Sequence, residues 1–198
     1  MTTVVAANNY IHEGDDAMKQ KLTTGMTAPN FTFDTISKRP LDFYKTASGK
    51  KSVIFFLRYM GCPICQLKIG ELLRDHEEFR AAGLQVFVAL QSTPASVKEG
   101  LAGFQVPFTV ICDPEEKIFA LYGVAPGNLF GYLAPPVIMK AMKASRSGFK
   151  HGKKEGKEMQ LPAVFIVEGD GKIGYAYYGK NIGDVPDSPT ILNAARGN

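Results

Sequence analysis

The Cys-x-x-Cys pair formed by Cys62 and Cys65 stands between a short apolar run and a helical pattern. Residues 53–59 are apolar except for Arg58 and are rich in β-branched and aromatic side chains, which favours a strand buried on both faces. Pro63 suits the first position of a helix, where no backbone N–H donor is needed. Apolar residues then recur at helical spacing as far as residue 83. This stretch predicts a strand, a tight turn and a dithiol at the start of a helix.

Two cysteines at a helix N-terminus suit thiol chemistry. The attacking species is the thiolate, and exposed N–H groups and the helix dipole favour negative charge there. Arg58, four residues before Cys62, adds a positive charge if it faces the site. Cys65 lies one helical turn further on, within reach of Cys62 after the latter has been oxidised or has formed a mixed disulfide. Cys62 is therefore the predicted nucleophile and Cys65 the predicted resolving thiol.

Two alternatives for the cysteine pair are weaker. A tetrahedral zinc site needs two more ligands, and the remaining candidates form no second close pair; they are Cys112, His12, His76 and His151. A permanent disulfide would close a very short loop and would restrain little chain entropy. Cys112 ends a predicted strand and is expected to be a small core residue.

The composition is that of an ordinary globular protein. The chain has 198 residues, 45% hydrophobic and 21% charged, with a net charge of +4, which does not by itself indicate nucleic-acid binding. No apolar run is long enough to span a bilayer, and residues 1–21 lack the pattern of a secretory signal. We therefore expect a cytoplasmic location with no membrane and no nucleic-acid partner. Three cysteines do not make a disulfide framework.

Strands and helices alternate along most of the chain. Predicted strands cover residues 84–90, 108–111, 161–167 and 172–178, after a small hairpin within residues 28–44. Helices are predicted after Thr93, after Asp113, over residues 136–143 and after Ser188; Val97, Leu101 and Phe104 form the apolar face of the first of these. Residues 145–158 are strongly basic and are interpreted as a solvated loop or lid. This order predicts a partly parallel sheet with an antiparallel hairpin at one edge.

The order of elements around the dithiol resembles the thioredoxin fold. Residues 28–33 and 112–124 resemble a narrower group, the alkyl hydroperoxide reductase and thiol-specific antioxidant (AhpC/TSA) family, or peroxiredoxins, in the branch that carries a Cys-x-x-Cys. The similarity covers about residues 25–193. It implies an α/β, thioredoxin-like (peroxiredoxin-like) central mixed sheet flanked by helices, with an N-terminal hairpin and a basic insertion before the last hairpin. We expect an arm at residues 1–26 and one redox domain at residues 27–198.

The resemblance also implies roles for residues outside the dithiol. Pro162 is expected to be a cis-proline facing the two thiols, so that the backbone of Leu161 meets a bound substrate thiol. The sequence departs from the family at two positions: peroxiredoxins have a proline seven residues and a threonine or serine three residues before the attacking cysteine, where this chain has Phe55 and Tyr59. Arg58 and Tyr59 are the candidates to contact substrate in place of the missing groups.

The predicted function is that of a thiol-dependent antioxidant oxidoreductase, which reduces peroxides or disulfides through the Cys62 thiolate and a redox-active Cys62–Cys65 disulfide. A thioredoxin- or glutathione-type reductant would reset the enzyme, with no metal or organic cofactor. By family analogy a homodimer is expected. The alternative is a redox-sensing or binding module on a thioredoxin scaffold, with little turnover.

Overall fold

A five-stranded mixed sheet forms the centre of the molecule, in a computed structural model that describes residues 20–37, 40–128 and 135–197. The strands lie in the order β5-β4-β3-β6-β7. Their bounds are β3 Ser52–Phe56, β4 Gln85–Leu90, β5 Thr109–Cys112, β6 Ala163–Val167 and β7 Ile173–Tyr178. A separate two-stranded hairpin joins β1 Thr32–Phe33 to β2 Leu41–Asp42. The predicted thioredoxin-like sheet with an antiparallel edge is confirmed.

The central strand β3 is buried on both faces, as its composition predicted. It runs parallel to β4 and antiparallel to β6, with Ile54 opposite Phe87 and Phe165. Because alternate side chains point to opposite faces of a sheet, Val53 and Phe55 enter one core cluster while Ile54 and Phe56 enter another. The strand that leads to the dithiol is therefore held rigidly by packing on both sides.

Helices cover the sheet on both faces. Within the described residues they are α1 Phe43–Ala47, α2 Pro63–Arg74, α3 His76–Ala81, α4 Pro94–Gly100, α5 Lys117–Leu121, α6 Pro135–Arg146 and α7 Ser188–Ala195. The helix expected to run from Pro63 to residue 83 is divided at Asp75, whose carboxylate accepts a hydrogen bond of 2.7 Å from the Ser188 hydroxyl. This contact ties the break to the start of α7.

The helix after Thr93 is shorter than predicted. The Thr93 hydroxyl caps it and Pro94 opens it, as expected, but it ends at Gly100. Phe104 follows in a turn, with its N–H donating to the carbonyl of Leu101, and its side chain is 59% exposed. Its assignment to the buried face of this helix was wrong, because the helix ends before the chain reaches that position.

The N-terminal part of the described chain adds to the exposed edge of β7. The N–H of Gly25 donates to the carbonyl of Ile173, and the N–H of Ile173 donates to the carbonyl of Met26, each at 2.8 Å. Leu22 is buried beneath this contact. Residues 1–19 of the expected arm lie outside the described residues, so the boundary at residue 26 stays a prediction.

The peptide bond between Leu161 and Pro162 is trans, which corrects the expectation of a cis-proline; none of the peptide bonds in the described ranges is cis. Pro162 stands directly before β6, and its carbonyl accepts a hydrogen bond of 2.8 Å from the N–H of Gly179. The chain therefore enters the sheet here in an extended conformation, which the ordinary preference of X–Pro bonds for trans supports.

The basic residues 145–158 do not form a purely solvated loop. The first two complete α6, and the part at residues 151–158, which we call the strap, lies across the turn that carries Cys62. No helix in the described parts of the chain combines the length and apolar character needed to cross a membrane.

Candidate active site

Cys62 is the N-cap residue of α2. Its sulfur accepts a hydrogen bond of 3.4 Å from the N–H of Cys65, and Pro63 occupies the first turn. The side chain of Cys62 is fully buried, and that of Cys65 is 4% exposed. Both are thiols without a disulfide. A sulfur at the N-terminus of a twelve-residue helix receives the partial positive charge of the unpaired N–H groups.

Arg58 brings a full positive charge to the same sulfur. It follows β3 by two residues, and its side chain turns back so that Nη2 donates to Cys62 Sγ at 2.8 Å. The Arg58 side chain is only 4% exposed. An ionic hydrogen bond in a site that excludes water is much stronger than one at the surface, because screening by solvent is weak.

These contacts separate the two thiols chemically. The hydrogen bond from the Cys65 thiol lowers the pKa of Cys62 to about 6, and the charge of Arg58 adds to this effect against the opposing influence of burial. Burial raises the pKa of Cys65 well above its ordinary value, and the hydrogen bond to Cys62 acts in the same direction. Burial alone would lower the pKa of Arg58, but the neighbouring thiols raise it, so the guanidinium stays charged. Near neutral pH the arrangement supplies one thiolate beside one thiol.

The strap approaches the Cys62 turn so closely that no side chain fits at Gly61. The N–H of Gly152 donates to the carbonyl of Gly61 at 2.8 Å. A Cβ atom at Gly61 would lie 2.2 Å from the carbonyl oxygen of Lys153, far inside the normal contact distance. The strap therefore forms the outer wall above the dithiol.

Glu158, at the end of the strap, contacts both Arg58 and Tyr59. Its backbone carbonyl accepts a hydrogen bond from Arg58 Nη1, and its carboxylate oxygen Oε1 accepts one of 2.5 Å from the Tyr59 hydroxyl. The Tyr59 oxygen also lies 3.3 Å from Nε2 of His151. Burial and the hydrogen bond to Glu158 both raise the pKa of Tyr59, so its hydroxyl stays protonated.

Further hydrogen bonds hold the strap to Gln91, which follows β4, and to α4. The side-chain oxygen of Gln91 accepts from the N–H of Lys157 at 3.1 Å, and its amide nitrogen donates to the side chain of Gln160. The Ser96 hydroxyl donates to the Glu155 carboxylate at 2.7 Å. Side-chain hydrogen bonds thus hold the strap in place over the turn that carries Cys62.

A cavity of about 650 Å³ opens beside the buried dithiol. Its inner end includes Arg58 and the first turn of α2, and one wall is the apolar face of α6. Phe149 and Lys150 contribute to its rim. The cavity therefore meets the site at Arg58 and the first turn of α2.

The structure brings four of the predicted site residues together, namely Cys62, Cys65, Arg58 and Tyr59. Pro162 and Leu161 have other described neighbours: the ring of Pro162 lies against Gly179, and the side chain of Leu161 lies against Gly127. Their role in substrate binding stays a prediction.

Reasoning from the sequence missed two residues that contact the site. The contacts of Glu158 and His151 with the site were not foreseen, although the glycines within the basic segment gave a weak signal of close packing. Cys112 is buried in the core, as expected. Within the described ranges, no three His, Cys, Asp or Glu side chains are grouped as metal ligands would be.

Comparisons with known proteins agree with this geometry. Over 113 residues the chain is 31% identical to the chloroplastic peroxiredoxin Q of Oryza sativa subsp. japonica. This stretch covers 57% of this chain and 51% of that protein. The chain thus spans about half the length of this relative.

Two solved structures share the fold. The peroxiredoxin-like protein from Aquifex aeolicus superposes with a TM-score of 0.65 at 18% identity, over 91% of this chain and 90% of that one. The yeast mitochondrial 1-Cys peroxiredoxin gives a TM-score of 0.61 at 18% identity, over 86% and 73% of the two chains. The model of the AhpC/TSA family matches residues 24–176, which include the dithiol and the strap. The chain therefore belongs to the AhpC/TSA family.

Proposed function

We propose that the chain is a thiol-dependent peroxidase in which the Cys62 thiolate attacks the substrate and Cys65 resolves the product. The observation that carries this proposal is the 2.8 Å hydrogen bond from Arg58 Nη2 to Cys62 Sγ at the N-terminus of α2. Membership of the AhpC/TSA family supports the same chemistry.

The proposed reaction has two thiol steps. The Cys62 sulfur forms a bond to one peroxide oxygen while the O–O bond breaks, and the leaving alkoxide or hydroxide takes a proton to give an alcohol or water. Cys62 is then a sulfenic acid. The sulfur of Cys65 then attacks the sulfur of Cys62, the thiol proton of Cys65 and the displaced hydroxide leave together as water, and the Cys62–Cys65 disulfide forms.

Two observations favour a peroxide over a protein disulfide as the substrate. The sulfur of Cys62 lies in a fully buried residue beneath the strap, where a small molecule fits more easily than the disulfide of a folded partner. The Leu161–Pro162 bond is trans. A cis bond was expected to present the backbone of Leu161 to a substrate thiol, and the trans bond does not have that geometry. The cavity beside Arg58 supplies the route for the peroxide.

The reductant in this proposal is a thioredoxin- or glutathione-type thiol, which exchanges with the disulfide and returns both cysteines to thiols. Among the structural neighbours, the yeast mitochondrial enzyme is described with a thiol resolving mechanism via glutathione/thioredoxin systems. The steps need no metal or organic cofactor. A reducing, cytoplasmic setting suits the cysteine content, and a homodimer by family analogy is part of the same proposal.

The strap also supports a second candidate, a redox sensor. Oxidation of Cys62 removes the thiolate that Arg58 binds, and Arg58 is in turn an anchor of the strap. A change in the dithiol could thus reach the exposed basic side chains of residues 145–158 and alter partner binding. Fast turnover would favour the enzyme, whereas slow oxidation with a change in partner binding would favour the sensor.

The test is the consumption of hydrogen peroxide and of an alkyl hydroperoxide with a thioredoxin-type reductant, beside the reduction of a model protein disulfide. The proposal predicts peroxide turnover that Cys62→Ser abolishes and Cys65→Ser reduces to a single turnover. Disulfide reduction without peroxide consumption would overturn the choice of substrate, and full activity in Cys62→Ser would overturn the assignment of the nucleophile.

A further inference from the structure

The Arg58 guanidinium lies between two groups that can carry negative charge. Its Nη2 is 2.8 Å from Cys62 Sγ, and its Nη1 is 3.9 Å from carboxylate oxygen Oε2 of Glu158. A direct N–H···O hydrogen bond spans 2.7–3.2 Å. The carboxylate is therefore close to Arg58 but is not directly hydrogen-bonded to it through this pair of atoms.

This separation needs a cause, because arginine and carboxylate groups favour close, often two-pronged pairing. Two contacts account for it. The backbone carbonyl of Glu158, which is neutral, already accepts from Nη1. The other carboxylate oxygen, Oε1, is held at 2.5 Å by the Tyr59 hydroxyl.

The single Tyr59 proton has two possible acceptors, and geometry assigns it. The Nδ1 atom of His151 lies 2.9 Å from the carbonyl oxygen of Gly152, so Nδ1 must be the donor there. Its Nε2 is 3.3 Å from the Tyr59 oxygen, compared with 2.5 Å for Glu158 Oε1. The proton of Tyr59 therefore goes to Glu158.

We propose that Tyr59 is a positioning residue whose hydroxyl holds the Glu158 carboxylate away from Arg58, so that the Arg58 charge is kept for Cys62. The inference rests on the proposed role of Cys62 as nucleophile and adds a task for Tyr59. The position three residues before the attacking cysteine acts here through Arg58 rather than through direct contact with a peroxide. The charged and titratable groups around Cys62 in this scheme are Arg58, Cys65, Tyr59, Glu158 and His151.

The charges predict that two single variants shift the pKa of Cys62 in opposite directions. In Tyr59→Phe the released carboxylate moves onto Arg58, which then stabilises the thiolate less. The pKa of Cys62 rises by about one unit, the lower end of the usual effect of a nearby charge, because the carboxylate starts only 3.9 Å from Arg58. In Glu158→Gln the competing negative charge is lost while the backbone carbonyl that anchors Arg58 remains, so the pKa of Cys62 falls. In the Glu158→Gln background, Tyr59→Phe has no carboxylate to release and leaves the pKa where it is.

The experiment measures the rate of Cys62 alkylation by iodoacetamide against pH, with the modified residue identified by mass spectrometry. Four proteins form a double-mutant cycle: the original chain, each single variant and the double variant. Glu155→Gln is the matched control, because its carboxylate lies in the same strap but accepts from Ser96. Thermal unfolding of each variant confirms that it is folded.

The proposal predicts that Tyr59→Phe raises the midpoint only when Glu158 is present, and that Glu155→Gln leaves it unchanged. It is overturned if Tyr59→Phe shifts the midpoint equally in both backgrounds, if it shifts neither, or if both single variants raise it as mere loosening of the strap would. Alkylation needs no peroxide, so these outcomes stand apart from success or failure of the proposed peroxidase activity.

Discussion

The Nη2 atom of Arg58 lies 2.8 Å from the sulfur of Cys62, and both side chains are almost completely buried. The contact combines an ionic hydrogen bond with the N-terminus of α2, where partial positive charge already favours an anion. Because both side chains are buried, the charge of Arg58 acts on the thiolate with less screening than at the surface. These contacts therefore favour the thiolate form of Cys62 at neutral pH, the form that its proposed role as nucleophile requires.

Replacing the arginine tests this contact. Arg58→Met keeps an unbranched, largely apolar stem but removes the charge, so we expect the pKa of Cys62 to rise from about 6 by roughly 1–2 units. The rate of Cys62 alkylation at pH 7 should then fall about twofold to tenfold, as the thiolate fraction falls with that shift. Arg74→Met is the control, because Arg74 is exposed and pairs with Asp75. An unchanged alkylation midpoint in Arg58→Met would mean that Arg58 does not set the acidity of Cys62.

The lowered pKa of Cys62 should also make the free energy of unfolding depend on pH. Its folded pKa of about 6 lies below that of an unfolded thiol, about 8.5. Between these pH values the folded state therefore binds fewer protons than the unfolded state. The stabilisation that Cys62 contributes grows as pH rises from 6 to about 8.5 and is lost as pH falls through 6. We expect the free energy of unfolding of the reduced protein to gain about 2–3 kcal/mol between pH 5.5 and 8.5 from this group alone.

The measurement is urea unfolding at both pH values for the reduced chain and for Cys62→Ser. The difference between the two proteins gives the contribution of Cys62 together with its effect on Cys65, whose pKa also depends on Cys62. Equal pH dependence in both would show that the thiolate is not stabilised by the fold.

The crossing of Gly61 and the strap predicts a sensitive position. Gly61→Ala places a methyl group against the backbone of Gly152 and Lys153 and must displace the strap. We expect tryptic cleavage at the lysines of the strap to accelerate several-fold, because cleavage follows local opening. Gly70→Ala is the matched control: its added Cβ would meet only the ring of Phe149 at an ordinary 3.5 Å. Equal cleavage of the two variants would contradict the close crossing.

Replacing Asp113 is expected to lower the stability of the fold at a place away from the dithiol. Its buried carboxylate accepts hydrogen bonds of 3.0, 2.8 and 3.1 Å from the N–H groups of Lys117, Ile118 and Phe119 and so caps α5. Asp113→Asn loses the charge and part of this acceptor capacity, so we expect destabilisation of about 1–3 kcal/mol in urea unfolding. Glu115→Gln, on an exposed residue near the same helix, should change stability by less than about 0.5 kcal/mol. Comparable losses in the two variants would argue against the cap.

The local pattern around the dithiol was enough to predict its geometry. The apolar run before Arg58, Pro63 at the first helical position and the Cys-x-x-Cys spacing are short-range signals, and each corresponds to the observed β3, α2 and N-cap. The alternation of strands and helices, together with the family resemblance, predicted a partly parallel sheet with an antiparallel hairpin at one edge. The order of the strands was not predicted, because it depends on pairings between residues far apart in sequence, such as Ile54 and Phe165.

The strap could not be predicted in the same way. Its contacts join residues about a hundred positions apart, such as Arg58 and Glu158, and no local periodicity encodes them. A run of lysines and glycines is typical of a solvated loop, and only the close approach at Gly61 shows why a glycine stands before the cysteine. The cis-proline expectation failed because it came from the resemblance alone, whereas the chain at Pro162 continues extended into β6.

The most direct test of the account is mass spectrometry of the reduced chain after one equivalent of hydrogen peroxide, beside the variant Cys65→Ser. We predict a Cys62–Cys65 disulfide in the original chain and a sulfenic acid on Cys62, trapped by dimedone, in the variant. Oxidation found first at Cys65 or Cys112, or a Cys62 that does not react, would contradict the central claim that the buried Cys62 thiolate is the nucleophile.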